Sequence, residues 1–310
     1  MPQPRHALIL TAGLGARLRP LSSVRAKPAM PVAGEPMIRR IIAWLVEHGA
    51  DELVLNLHHL PHTITRIVGD GSDLSATVRY SWEPELLGSA GGPRRALPII
   101  GAETFFIVNG DTLADVDLRV LAEAHEASGA LVTLALAPNR SPGRYGGVAM
   151  EADGRVTGFR RRGVAGPSFH FVGVQIVDAG AFQALPDGRP ANSVGGLYDE
   201  LIAARPGSLR GVLCDAAFWD VGTPGDYWRT SLDWAARDHA GVLPPGRGVR
   251  IAPTARVSDS ILWDDVEVGS GCQLEACIVT DGVRVPPGAR HARRILVRHD
   301  DGRLEAFPYA

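Results

Sequence analysis

Arg17, Arg19 and Lys27 follow closely on two glycines, Gly13 and Gly15, in the stretch TAGLGARLRPLSSVRAKP, Thr11 to Pro28. Glycines two apart after a short apolar run let the backbone turn tightly and let another group approach it closely. Backbone N–H groups in such a turn suit phosphate oxygens, and arginine adds a planar fork of donors for the same oxygens. Two better-known phosphate turns are excluded by the residues that follow. A dinucleotide fingerprint needs a third glycine where Leu18 stands, and a P-loop needs Gly-Lys-Ser/Thr, which is absent here. Asp111 in NGDT and Asp220 in WDVGT are the other residues of interest. A carboxylate at a strand end serves a hard cation or simply caps a turn or helix. On residue types alone the glycine turn fits equally a tight bend flanked by solvated arginines.

Groups so far apart in the chain need elements that bring them together. Up to about residue 130, strand and helix patterns alternate. ALILTA (Ala7 to Ala12), ELVLNL (Glu52 to Leu57), TFFIVN (Thr104 to Asn109) and LVTLAL read as strands. EPMIRRIIAWLVEHG carries Met37, Ile38, Ile41, Ile42, Leu45 and Val46 at helical spacing, stopped by Gly49, and DLRVLAEAHEASG is a second helix. This alternation implies right-handed crossovers and a mostly parallel sheet. Ligands of such sheets bind at the carboxyl ends of the strands, where the glycine turn and NGDT both begin. Later, GGVAMEADGRVTGF reads as a hairpin turning at Asp153-Gly154. GLYDELIAAR reads as a helix, and LRGVLCD and AAFWDVG contain strands.

A proline- and glycine-rich break at GVLPPGRG, Gly241 to Gly248, precedes an internal repeat. Its copies start at Ile251, Val268 and Val285, 17 residues apart, with aliphatic residues at six-residue steps. That pattern predicts a parallel β-helix of about three coils. Cys272 and Cys277 then read as ordinary coil residues. The ten histidines are scattered without ligand spacing and read as loop or packing residues; His291, in the third coil, is one of them.

The stretch LTAGLGARLRPLSSVRAKPAMPV resembles the signature of the sugar-1-phosphate nucleotidylyltransferases, Gly-x-Gly-x-Arg-Leu-x-Pro-Leu-Thr followed by Lys-Pro and Pro-Val. Ser22 replaces the threonine. The likeness continues in family order through LLGSAGG, VNGDT, YGGV, FVGVQI and FWDVGTPGDY, over nearly the first 235 residues. The run of motifs looks most like mannose-1-phosphate guanylyltransferases. The resemblance implies an α/β fold: a Rossmann-like, mostly parallel sheet in a nucleotidyltransferase domain, 1–240, and a short C-terminal left-handed parallel β-helix, 241–310. It implies an NTP and a sugar 1-phosphate as substrates and an NDP-sugar and pyrophosphate as products. A uridylyl- or thymidylyltransferase acting on another hexose or amino-sugar 1-phosphate, and a non-catalytic regulatory paralogue, are the alternatives.

By this resemblance Arg17 holds the β- and γ-phosphates, and Lys27 lies near the α-phosphate or the sugar phosphate. Ala12, Gly13, Gly15 and Gly88 border the nucleotide, with LLGSAGG as a turn near base and ribose. Gly146, Arg162 and Gly173 border the sugar phosphate. Asp111 and Asp220 would hold Mg2+, which prefers carboxylates, phosphate oxygens and water. Many family members have Glu-Lys-Pro where this chain has FRRRG, so Arg161 and Arg162 leave the sugar's identity open. Asp115 and Asp117 read as loop and helix-cap residues.

The charge balance argues against a dedicated nucleic-acid binder. The 310 residues carry 32 Lys and Arg against 34 Asp and Glu, a formal net charge of −2. No apolar stretch reaches the roughly 20 residues of a membrane span, and the N-terminus does not read as a signal peptide. Three cysteines give no disulfide framework and suit a reducing compartment. The expectation is a cytoplasmic protein with no membrane or nucleic-acid partner, self-associating through its β-helix.

Overall fold

In a computed structural model, residues 4–164, 166–299 and 301–309 are described. Their contacts fall into two compact units. The first runs through Gly13 and from Arg39 to Trp219; the second comprises Leu14–Ile38 and the chain from Asp220 onward.

The first unit is built on one sheet. Strand β1 (His6–Leu10) pairs in parallel with β4 (Glu52–Leu57) on one side and β6 (Thr104–Asn109) on the other. β5 (Thr77–Trp82) extends the sheet beyond β4, also in parallel. β11 (Phe169–Asp178) is antiparallel to β6 and to β8 (Val132–Pro138), and β12 (Leu209–Leu213) pairs in parallel with β8. The hairpin β9 (Gly147–Met150) and β10 (Val156–Arg160) adjoins β11 through Phe169. The sheet is therefore mostly parallel, as the alternation of elements predicts. Its central strands are apolar on both faces, and Leu8, Phe105, Ile107, Leu134 and Val177 are fully buried.

Helix α1 (Met37–Glu47) buries Met37, Ile38, Ile41, Ile42 and Leu45 on one stripe. α4 (Leu118–Ser128) begins at Asp117, whose side chain caps it by accepting from the Arg119 N–H at 2.9 Å. The predicted turn at LLGSAGG is instead the opening of α3 (Gly88–Ile100). Three glycines and two prolines, Pro93 and Pro98, disguise this helix in the sequence. Its small residues have a packing reason: a Cβ on Gly91 would meet the Arg189 carbonyl oxygen at 2.5 Å, and one on Gly92 would meet Glu83 Oε1 at 2.6 Å.

In the second unit, β2 (Pro31–Val32) and β3 (Glu35–Pro36) form a two-residue hairpin with Ala33 at φ 47 and Gly34 at φ 80. The repeat forms parallel ladders at the spacing read from the sequence. Arg250 pairs with Glu267 and Glu267 with Arg284; Val257 with Leu274 and Leu274 with His291; Ile261 with Ile278 and Ile278 with Ile295. Val266, Cys272, Cys277, Val279, Val283 and Leu296 fill the space inside the coils. The third copy ends differently, in an antiparallel hairpin of Arg294–Arg298 with Leu304–Pro308. No helix among the described residues is long and apolar enough to cross a membrane.

Gly92→Ala tests the α3 packing. Alanine favours a helix by about 1 kcal/mol over glycine, but here its methyl group intrudes on the buried Glu83 and Asn56 side chains. The expected net effect is a loss of about 1 to 2 kcal/mol in urea unfolding.

Candidate active site

Thr11, Asn56 and Asn109 lie at or just beyond the carboxyl ends of three adjacent parallel strands, β1, β4 and β6. Thr11 N–H donates to Asn56 Oδ1 at 2.7 Å, and its hydroxyl donates to the Asn56 carbonyl. Asn56 Nδ2 in turn donates to Glu83 Oε1 at 2.7 Å, and Glu83 Oε2 receives the Leu87 N–H at 2.9 Å. Glu83 is fully buried. This run of hydrogen bonds ties the start of the glycine turn to the residue that precedes α3. At the start of α3, the Ala191 carbonyl accepts from the N–H groups of both Ala90 and Gly91. Gly88 sits at φ 78 beside it, and a Cβ there would meet the Ala191 oxygen at 2.7 Å.

Ala12 is buried and Gly13 is exposed at the end of the first unit's N-terminal segment. Gly110 N–H donates to the Leu10 carbonyl at 3.0 Å, which sets Asp111 beside the chain entering the glycine turn. Asp111 is half-buried at the bend between β6 and β7 (Thr112–Ala114). Gly173, at φ 82, lies where the register of β11 shifts, against Asn109: a Cβ would meet Asn109 Nδ2 at 2.9 Å. The structure thus places Gly173 and Asp111 on the same strand end. Gly146 is exposed, against the Arg160 backbone, and Arg162 is exposed in the turn after β10. The N–H of Gly163 donates to Pro142 at 2.8 Å, joining that turn to the loop before Gly146.

Beside Gly146, Tyr145 stacks near His170 with ring centroids 4.1 Å apart, and His170 lies 4.8 Å from Phe218. Arg144 covers the other ring, 5.0 Å from the Tyr145 centroid. Burial and the nearby Arg144 charge push the His170 pKa down to about 4. The Asp115 N–H donates to the Ala217 carbonyl at 3.0 Å, and β13 (Phe218–Asp220), in which the first unit ends, pairs with β7.

The second unit assembles the remaining groups. Gly15 takes φ 59, and a Cβ there would meet Ser22 Cβ at 3.0 Å and Lys27 Cβ at 3.6 Å. The glycine therefore lets the turn close onto the backbone that carries Lys27, which is buried in a short 3-10 turn, Lys27–Ala29. Arg17 is exposed. Gly222 explains where its guanidinium goes. A Cβ on Gly222 would lie 3.3 Å from Arg17 Nη1, 3.2 Å from Asp220 Oδ2 and 3.2 Å from Asp226 Oδ2. One cation and two carboxylates thus share the space that the missing side chain leaves. Asp226 is buried, takes the Thr223 hydroxyl at 2.8 Å, and pairs with Arg229 at 2.6 Å. Thr223 returns the favour by capping α6 (Pro224–Asp238) through the Asp226 N–H.

Glu83, Asn56 and Asp226 escape a reading of the sequence. Asp226 has a visible signal, since Thr-x-x-Asp before an apolar run is a capping pattern. Glu83 and Asn56 have none, because nothing local marks them as buried.

A parallel sheet whose first strand runs into a glycine turn, with ligand positions at the carboxyl ends of its strands, defines a class of α/β proteins that bind phosphate-bearing ligands. The chain belongs to the nucleotidyl transferase family, whose model matches residues 6–237. A second model, the GlmU-like C-terminal hexapeptide, matches residues 240–291. The chain is 29% identical to a mannose-1-phosphate guanylyltransferase of Mycobacterium tuberculosis over 91% of its own length and 81% of the relative's. It is 32% identical to a D-glycero-alpha-D-manno-heptose 1-phosphate guanylyltransferase of Aneurinibacillus thermoaerophilus, over 72% of this chain and 95% of the other. Its fold is shared with the crystal structure of HddC from Yersinia pseudotuberculosis, with TM-score 0.65 and 23% identity over 74% of this chain and 99% of that one.

His170 gives the first unit a pH signature. Its folded pKa of about 4 lies below the ordinary 6.5, so the unfolded chain binds the extra proton between those values. Stability is full above about pH 6.5 and declines as the pH falls toward 4. Thermal unfolding followed across that window should show the decline, and His170→Phe should flatten it.

Proposed function

We propose that the chain transfers a nucleotidyl group from GTP to mannose 1-phosphate or a closely related sugar 1-phosphate, forming the GDP-sugar and pyrophosphate. The observation that carries the reading is the pairing of two arrangements in the second unit. Lys27 packs against the glycine turn, and Arg17 faces the carboxylate of Asp220 across Gly222. The guanine preference and the sugar class rest on the relatives' names, both of them guanylyltransferases.

In this reading an oxygen of the sugar phosphate attacks the α-phosphorus of the nucleotide. The bond from that phosphorus to the bridging α–β oxygen breaks, and the electron pair leaves with pyrophosphate. The attacking oxygen is already ionised near neutral pH, so no side chain has to remove a proton. The residues act by position and charge. N–H groups of the turn around Gly13 and Gly15 cradle the triphosphate, with Ala12 and Gly88 bordering the nucleoside. Arg17 holds the β- and γ-phosphates as charge gathers on the leaving group. Lys27 sits where the α-phosphate and the sugar phosphate meet. Gly146, Gly173 and Arg162 border the sugar phosphate.

Asp111 and Asp220 are the residues that would hold Mg2+. Each carboxylate is a hard oxygen ligand of the kind that ion takes, alongside phosphate oxygens and water. When bound, the ion would neutralise phosphate charge and polarise the phosphorus under attack. Such a reaction belongs in the cytoplasm, where nucleoside triphosphates are made and where Cys214, Cys272 and Cys277, all free, stay reduced.

A matrix of five nucleoside triphosphates against a panel of sugar 1-phosphates, read by pyrophosphate release with Mg2+, tests substrate choice. Turnover should be highest for GTP with mannose 1-phosphate or the manno-heptose 1-phosphate; a clear preference for UTP or dTTP would move the assignment to those bases. Lys27→Ala and Asp111→Asn should each lower kcat by about a hundredfold or more. Near-wild-type turnover in both would remove these residues from the chemistry. A wild-type chain inert across the whole matrix would favour a regulatory paralogue.

A further inference from the structure

Arg25 has no part in the signature, yet it is among the most heavily engaged side chains of the second unit. It precedes Lys27 by two residues and is only 12% exposed. Its Nε donates to Asp281 Oδ2 at 2.8 Å, and its Nη2 donates to Asp281 Oδ1 at 2.6 Å and to Asp264 Oδ2 at 2.9 Å. The two aspartates occupy equivalent positions of successive coils, 17 residues apart, and the Asp264 N–H donates to Asp281 Oδ1 at 3.1 Å. Arg247 completes the group, donating from its backbone N–H and its guanidinium to Asp264 at 2.9 and 3.1 Å. Two cations and two anions leave the cluster neutral, and the Arg25 guanidinium, the most enclosed of the four, is answered by both carboxylates. The guanidinium also lies over the fully buried indole of Trp263, 5.2 Å from its centroid.

The far end of the same loop is held as well. Tyr227 OH donates to the Pro31 carbonyl at 2.5 Å, and Trp263 Nε1 donates to the Tyr227 oxygen at 3.0 Å. Gly34 then packs against Pro244, where a Cβ would meet the ring at 3.1 Å. Residues 25 to 31 are therefore gripped at both ends by side chains of α6 and the coils. The turn carrying Lys27 spans the interval between the grips.

We propose that Arg25 is a positioning residue, through which the repeat coils hold Lys27 where the phosphates bind. The planar fork suits this role. It meets one carboxylate with two parallel hydrogen bonds and a second carboxylate with a shared nitrogen, which fixes direction as well as distance. A lysine supplies charge without that direction. The coils on this view serve nucleotide binding directly, in addition to any part in self-association. The inference rests on the role given to Lys27 above.

Two measurements test it. Hydrogen exchange needs no activity. In Arg25→Met, amide protection should fall at residues 24–33 and stay unchanged at residues 104–109 of the sheet; unaltered protection at 24–33 would overturn the proposal. The second is the affinity for magnesium GTP, or for whichever triphosphate gives turnover, in wild type, Arg25→Met, Lys27→Ala and the double variant. Arg25→Met should weaken binding about tenfold, and the double variant should bind no more weakly than Lys27→Ala alone. Losses that multiply, or a drop in Tm with unchanged affinity, would make Arg25 a stabilising residue only. Arg25→Lys, which keeps the charge, should fall between wild type and Arg25→Met and serves if the methionine variant does not fold. A strut seen by exchange in a chain that binds no triphosphate would sink the assignment of Lys27 and leave the mechanical link standing.

Discussion

A carboxylate with no exposed surface must find hydrogen-bond donors, because an unpaired buried charge costs several kcal/mol. Glu83 meets this constraint by taking Asn56 Nδ2 on one oxygen and the Leu87 N–H on the other. Asn56 is thereby oriented so that its own oxygen receives the Thr11 N–H. The end of β1, the end of β4 and the entry to α3 are consequently held by one buried acid. The glycines around it follow from the same constraint. Gly92 leaves room for the carboxylate, and Gly91 lets α3 lie close to the chain at Arg189. What a family signature shows as a run of small residues is, physically, the space needed by a charge and its donors.

The charged residues of the candidate site present a different problem. Arg17 and Lys27 sit on short 3-10 turns, which offer few internal hydrogen bonds to keep a side chain in place. Their order comes from outside the turns. Gly15 closes onto Lys27, Gly222 leaves a space bounded by Arg17, Asp220 and Asp226, and Arg25 joins the loop to Asp264 and Asp281. The coils repeat the same logic at one step, between Asp264 and Asp281. Aspartates 17 residues apart stack, and each acid is answered by an arginine or a backbone N–H.

Much of this was legible in the chain. Periodicity marked β4 and β6 at their true bounds, the hairpin at Asp153-Gly154, and the three coils with their 17-residue spacing. The strand before the glycine turn ends at Leu10 rather than Ala12, because Thr11 turns its N–H to Asn56 instead of to a neighbouring strand. α3 was hidden because glycine and proline normally argue against a helix interior, and only its close packing on β1 and β4 makes them favourable. β5 and the helix Pro61–Val68 also lay outside the pattern read from the sequence.

Local sequence determined the element types, the parallel sheet and the coil repeat, since these depend on propensity, period and spacing along the chain, while Gly13, Gly15, Arg17, Lys27, Asp111 and Asp220 were marked by likeness to a family signature. Tertiary structure alone decided which of them meet. Arg17 and Asp220, far apart in the chain, both border the space that Gly222 leaves open. Glu83 and Arg25 acquire their importance only when folding removes water from around them. A charge in a sequence carries no mark of its burial, and burial is what turns an ordinary glutamate or arginine into a fixed point of its part of the fold.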